Sequence, residues 1–349
     1  MRILIISPTQ SGIGGIARHI EGFTKFLKKN GNDVDIISSE NTFTVPIRKL
    51  KNPSFMLSAF LKTKFSQKYD IIHAQNIVTA FAMKNVAGKK LLAVHGIHHE
   101  QIEHLHGKTA GNLAKNYEER AINWVDAITV SSMEMFDYYS NKGIKTFYLP
   151  NAIDIEDLPK NSMKKFAKQI VFASRLSKEK GILEVLKMTE KLSDDIHLFI
   201  LGSGSEESKV QEITQRKKNV HFLGYQNKEK TLSIIRGSDL LIQPSRMEGG
   251  LSYTLLESMA CGTPIICTDV GGAKDYLIHK KNAYIIKPRD AEELLSAIEY
   301  LMNNSAKREE LRHNALEEIT NHDWSTICLL YTSDAADEGL GVDLGGRRI

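Results

Sequence analysis

Residues 2–31, RILIISPTQSGIGGIARHIEGFTKFLKKNG, decide the architecture. The run Arg2–Ser7 is short and apolar, Gly12, Gly14 and Gly15 make a turn, and Ile16–Lys29 has helical periodicity ended by Gly31. Strand, glycine turn and helix in that order open a βαβ unit. The alternation continues through VDIIS, YDIIHAQ, KLLAVHG and DAITVSS, so residues 1–150 form one α/β domain. Residues 151–167, NAIDIEDLPKNSMKKFA, lack an apolar period and read as a linker. The pattern restarts over 168–328 with QIVFASR, HLFILGSG, VHFLGY, DLLIQPS and PIICTDV. Two such units predict parallel sheets facing an interdomain cleft, with ligands at the carboxyl ends of the strands.

Composition narrows the function classes. The 349 residues are 42% hydrophobic and 25% charged, which excludes fibrous and disordered proteins. No apolar run reaches the roughly 18–20 residues of a membrane-spanning helix. Met1-Arg2 runs straight into a strand, so no signal peptide is expected. Cys261, Cys267 and Cys328 form no CxxC pair, which fits a reduced, cytoplasmic protein. The net charge of +4 is mild, and no nucleic-acid partner is expected. One stretch is biased: residues 46–68, PIRKLKNPSFMLSAFLKTKFSQK, hold six basic groups and no acid. Leu57, Leu61 and Phe65 recur there at helical spacing. Two readings follow, a core-facing helix with a solvated basic face or a patch that rests on an anionic membrane surface. The last residues, 329–349, have no periodicity and resemble a translated sequencing adapter, so they are set aside as a non-native tail.

Five segments carry candidate chemistry. In QPSRMEGGLSYTLLESMACGTP, residues 243–264, a strand ends, a loop follows and Ser252 is placed to cap a helix through Ala260. The N–H groups of such a helix start suit phosphate or sugar oxygens, and Glu248 and Glu257 are acceptors suited to sugar hydroxyls. In SRLSKEKG, residues 174–181, Arg175 and Lys180 are placed to converge on a diphosphate. GSGSEE, residues 202–207, is a glycine-rich strand end. The loop SGIGGIARHI lacks the third glycine of a dinucleotide fingerprint, and the nearest acid, Glu40, falls beyond the end of the next strand. AVHGIHHEQIEHLHG, residues 93–107, holds five of the twelve histidines, but HEQIEH is one residue too long for HExxH. No metal site is expected.

Together these segments resemble glycosyltransferase family 4, of the GT-B fold with two Rossmann-like domains, over nearly all of residues 1–327. The pattern Glu257-Ser-Met-Ala-Cys-Gly-Thr-Pro264 carries most of the likeness. The family places seven residues between its two Glu; here eight lie between Glu248 and Glu257, and Gly249-Gly250 holds a one-residue insertion. The resemblance implies a retaining transfer of a hexosyl-type sugar from a nucleoside-diphosphate sugar to an acceptor hydroxyl. Glu257 would bind the nucleotide ribose. Glu248, with Gly249, Gly250, Leu251 and Ser252, would hold the transferred sugar. Arg175 and Lys180 would neutralise the departing diphosphate in place of a metal, so no cofactor is implied. Gly202 and Gly204 would approach the nucleobase, and Gly15 would lie over the donor phosphate, with His19 four residues on matching the family's pattern. His95 would face the donor sugar, while His98, His99, His104 and His106 receive no role. The implied acceptor is a glycan or glycolipid, met in the cytoplasm or peripherally at the inner face of the plasma membrane. The final helix of this fold returns to the first domain, and HDWSTI, residues 322–327, resembles its start. Three rivals stand beside this reading: a nicotinamide-dependent oxidoreductase, a nucleotide-sugar 2-epimerase and a non-catalytic partner subunit.

Overall fold

A computed structural model describes residues 1–12, 14–47, 50–96, 107–156 and 158–327. The tail 329–349, His98, His99, His104 and His106 lie outside them. The described residues form two compact units, one of residues 1–152 with 323–327, the other Ile153–His322.

The first unit holds six parallel strands: β1 (Arg2–Ser7), β2 (Asp33–Ser38), β3 (Ile71–Ala74), β4 (Lys89–Val94), β5 (Ala127–Val130) and β6 (Thr146–Tyr148). Their order is β2-β1-β3-β4-β5-β6. The second unit repeats the plan with β7 (Gln169–Ala173), β8 (His197–Leu201), β9 (Val220–Gly224), β10 (Leu240–Gln243), β11 (Ile265–Thr268) and β12 (Tyr284–Ile286), ordered β12-β11-β10-β7-β8-β9. Both sheets are buried on both faces, which is why their strands read as unbroken apolar runs rather than alternating ones. In β1, Leu4 and Ile6 join a core with Phe55 and Ala59, while Ile3 and Ile5 join another with Ile20, Phe23 and Leu27.

Three features depart from the sequence reading or extend it. The segment read as a linker is built into both units: Ala152 lies in a core of the first, while Ile153 and Leu158 lie in a core of the second, with Met163 and Phe166 packed against it. Trp324 and Ile327 sit in the core of the first unit beside α1 (Gly15–Lys29), so the chain does return to that unit after His322. Asp323 opens this last turn, its Oδ1 accepting the N–H of Ser325 at 2.8 Å. The third feature is α2 (Lys51–Thr63). Its buried residues are Phe55, Ala59 and Thr63, whereas Leu57 and Leu61 are 56% and 53% exposed and Phe65 beyond its end is 86% exposed. Of the two readings of this stripe the core-facing one does not hold: it faces solvent, because Ala59 and Phe55 fit the close approach to the Ile77–Asn85 segment and the leucines do not share that face.

Candidate active site

In the second unit the chain runs outward from β7 through β8 to β9, then returns to pair β10 against the other side of β7. The sheet therefore changes winding direction between β7 and β10, where such sheets open a ligand crevice at their carboxyl ends. The two loops at this point are 174–181 and 244–252. They carry Arg175, Lys180, Glu248, Gly249, Gly250, Leu251 and Ser252, and the fold brings the two signatures together across 68 residues of sequence.

The contact between them is an ion pair. Lys180 Nζ lies 2.5 and 2.6 Å from the two carboxylate oxygens of Glu248, with the side chains 18% and 11% exposed. Glu248 Oε1 also accepts from Ser245 Oγ at 2.8 Å and from Gln243 Nε2 at 3.2 Å. A second pair, which sequence reasoning missed, ties the 244–252 loop to the helix Ile182–Thr189: Arg246 donates through Nε and Nη2 to Glu184 Oε1 at 3.0 and 2.6 Å, and its N–H donates to Glu179 O, in the 174–181 loop, at 2.8 Å. An Arg two residues before the first Glu was the signal available for it. Arg175 is exposed on the rim of its loop.

Close backbone packing explains the glycines. Gly181 has φ +76°, and a Cβ there would meet Pro244 O at 1.9 Å, so the two loops touch through main chain. At Gly202 (φ +132°) a Cβ would lie 1.9 Å from Ser174 O, and at Gly204 one would lie 2.3 Å from Leu176 O. The space cleared by both is filled by the 174–176 loop itself, so this contact by itself requires glycine at each position. Gly271 and Gly272, overlooked in the sequence, do the same for the longer Glu248–Ser252 loop: Cβ atoms there would lie 2.3 Å from Glu248 O and 2.4 Å from Leu251 N.

Glu257 is 2% exposed within the helix Tyr253–Cys261, and the Leu251 side chain is wholly buried, leaving that residue's main chain for any ligand. Ser252 occupies the N-cap position, but the expected capping bond is not made. Its hydroxyl donates instead to Gln243 Oε1 at 3.3 Å, because the strand end brings that amide within reach. Thr254 Oγ1, donating to Ala173 O at 3.1 Å, anchors the helix start to β7.

In the first unit Gly15 opens α1 and His95 follows β4. The His95 ring lies 5.4 Å from that of His19, which lies 5.2 Å from Trp324. Burial pushes His95 down to about 4 and His73, with His95 beside it, to about 3. His19 is held well below the usual imidazole range by burial and then by these two rings, against a hydrogen bond with Asn151 that acts the other way. Glu40 closes on the glycine loop itself: its Oε1 accepts from Gln10 N–H at 2.8 Å, Ser11 N–H at 3.0 Å and Thr9 Oγ1 at 3.0 Å. Desolvation acts the other way, but these bonds and one from Ser11 Oγ hold its carboxyl down at about 2. The acid a dinucleotide site would turn toward a ribose is thus spent on the protein's own loop. Among the described residues no group of three or more His, Cys, Asp or Glu is arranged to hold a metal ion.

Comparison with known proteins agrees with this geometry. Residues 13–157 match the family model "Glycosyltransferase Family 4" and residues 154–318 match "Glycosyl transferases group 1". The phosphatidyl-myo-inositol mannosyltransferase of Mycobacterium leprae is 20% identical over 94% of each chain. The fold superimposes on sucrose-phosphate synthase from Thermosynechococcus elongatus with TM-score 0.81, at 18% identity over 95% of this chain and 97% of that one. It superimposes on Anabaena HepE in complex with UDP-glucose with TM-score 0.74, at 17% identity over 97% of this chain and all of that one. The fold is GT-B, the two-sheet architecture of these glycosyltransferases. The chain belongs to glycosyltransferase family 4.

Proposed function

We propose that the chain transfers a hexosyl-type sugar, with retention, from a nucleoside-diphosphate sugar to an acceptor hydroxyl in cell-surface polysaccharide or glycolipid synthesis. The observation that carries this reading is the meeting of Lys180 and Glu248 at the winding switch of the second sheet. A diphosphate entering there would take Lys180 as a shared cation and meet Arg175 from the rim. Freed in part from Lys180, Glu248 would accept from a hydroxyl of the transferred sugar. Glu257 would serve the ribose, and the main chain at Gly249–Ser252 and the helix start would receive phosphate or sugar oxygens. In the first unit Gly15 would lie toward the donor phosphate and His95, held neutral, toward the sugar. The chemistry is electrostatic: fixed positive charge stabilises the leaving diphosphate as its bond to the anomeric carbon breaks. The UDP-glucose bound by HepE and the lipid substrate in the name of the mannosyltransferase relative support this donor and acceptor class.

Thermal-shift measurement with UDP, GDP and ADP sugars tests the donor. A ligand at 100 times its Kd stabilises by about 2.7 kcal/mol, and one base is expected to stand out. With that donor, turnover in EDTA should match turnover in added magnesium, since Arg175 and Lys180 take the place of a metal. Full loss in chelator, restored by a divalent ion, would contradict the role given to that pair.

Contact with a lipid acceptor falls to the 46–68 segment. No helix among the described residues is long and apolar enough to cross a membrane. The exposed Ile47, Leu50, Leu57, Leu61 and Phe65 lie among Lys51, Lys62 and Lys64. Such a surface inserts apolar side chains while its cations pair with anionic headgroups, at about 1 kcal/mol per basic group. The protein is expected to co-sediment with anionic vesicles and not with neutral ones, and to lose most of that binding when Lys49, Lys51, Lys62 and Lys64 become Gln. Binding indifferent to lipid charge would remove the patch from the scheme.

A further inference from the structure

Strand β10 runs Leu-Leu-Ile and then breaks its apolar pattern with an amide, Gln243, at its carboxyl end. Gln243 is 2% exposed, and a buried amide is costly unless its groups are paired. Both ends of this one are engaged. Nε2 donates to Glu248 Oε1 at 3.2 Å and to Ser245 Oγ at 3.4 Å, and Oε1 accepts from Ser252 Oγ at 3.3 Å. Ser245 Oγ in turn donates to Glu248 Oε1 at 2.8 Å. These partners fix the orientation of the amide. The Glu248 carboxylate, paired with Lys180, has no proton to give, so the NH2 must face it and the carbonyl must face the Ser252 hydroxyl. Held as a donor to Gln243, that hydroxyl makes no cap bond to the helix Tyr253–Cys261, although a serine at this position usually accepts a first-turn N–H.

We infer that Gln243 is a positioning residue: it steadies Glu248 and holds the Ser252 hydroxyl away from the helix start that receives the donor. The inference rests on the donor reading above and adds what sets the loop. Its two arms act separately. At Glu248, Ser245 and Gln243 hold Oε1, whereas among the described residues Oε2 has Lys180. When Lys180 turns to the diphosphate, Oε2 is the atom left for a sugar hydroxyl. At the helix start, the Gln243 carbonyl takes the Ser252 hydroxyl, so a phosphate oxygen does not compete with it for the first-turn N–H groups. An apolar residue at 243 would continue the run of β10 and leave both arms undone.

The test uses Gln243→Met, close in length to Gln, alone and with Ser252→Ala, in the full chain; Gln243→Leu takes its place should the Met variant not fold. In Gln243→Met the Ser252 hydroxyl is released and should cap the helix. Hydrogen exchange at the Thr254 and Leu255 amides should then slow. The Kd for whichever of UDP, GDP and ADP binds should rise about threefold to tenfold, the worth of one neutral hydrogen bond. Adding Ser252→Ala removes the cap and should return both values to those of the parent. Donor hydrolysis reads the other arm: kcat should fall about tenfold in Gln243→Met, the worth of a hydrogen bond to a charged group, and Ser252→Ala should not restore it. A merely structural amide predicts otherwise, since a second truncation would only add to the damage. Unchanged exchange in Gln243→Met overturns the inference. So does a kcat equal to the parent's, or a loss of affinity that Ser252→Ala deepens. If none of the three diphosphates binds the parent chain, the donor reading falls, while the exchange result still decides the role of Gln243.

Discussion

Replacing Lys180 with Ala is expected to lower turnover about 10²–10³-fold, the effect of removing one donor aimed at a developing oxyanion. The same change should also cost stability. Lys180 is the cationic partner of Glu248, and both side chains are largely withdrawn from solvent, at 18% and 11% exposure. Without it, among the described residues, the carboxylate keeps Ser245 and Gln243. Removing one member of a fully buried pair costs about 3–5 kcal/mol; the solvent left at this one lowers the expectation to about 1–3 kcal/mol, the range for stranding a buried polar group. The two effects separate in a double variant. Glu248→Gln added to Lys180→Ala should recover most of the urea midpoint and none of the turnover. Arg175→Ala gives the complementary case: that side chain is exposed, so turnover should fall by a comparable factor at an unchanged midpoint. Near-normal kcat in both Lys180→Ala and Arg175→Ala would end the diphosphate role.

How much of this was legible beforehand follows from what each segment buries. Ten of the twelve strands stand out in the sequence because parallel strands covered on both faces are continuous apolar runs. The two missed, β6 and β12, are three-residue edge strands with only part-buried residues at most positions, so neither apolar run nor alternation marks them. The loops with Lys180 and Glu248 were recognisable as motifs. Their pairing to each other was not, since ion-pair partners 68 residues apart leave no local trace. The same holds for Arg246 with Glu184 and for Gly271 and Gly272 against the lengthened loop. Helical spacing at Leu57, Leu61 and Phe65 gave a true helix and left its orientation open; two apolar stripes run along α2, and packing chose the one with Phe55 and Ala59.

The seat of Trp324 on α1 gives the largest expected change in stability. Gly22 lies inside α1, where Ala is favoured over Gly by about 1 kcal/mol. A helix interior normally rewards that exchange. Here a Cβ on Gly22 would fall 2.0 Å from Trp324 Nε1 and 2.7 Å from Cε2, so the glycine is the floor on which the indole lies. Trp324 is 4% exposed and meets the rings of His19 and Phe23 at 5.2 and 5.9 Å. Trp324→Ala should therefore destabilise by about 3–5 kcal/mol, as for other buried aromatics cut to Ala. Gly22→Ala in the parent chain should destabilise by about 1–3 kcal/mol, because overpacking outweighs the helix gain. In the Trp324→Ala background the obstacle is gone and only the propensity remains, so the same Gly22→Ala change should stabilise, by up to about 1 kcal/mol. Urea denaturation of the four proteins of this cycle measures the reversal. If Gly22→Ala shifts the midpoint in the same direction with and without the indole, Trp324 does not rest on α1, and the return of the chain to its first unit is not held there.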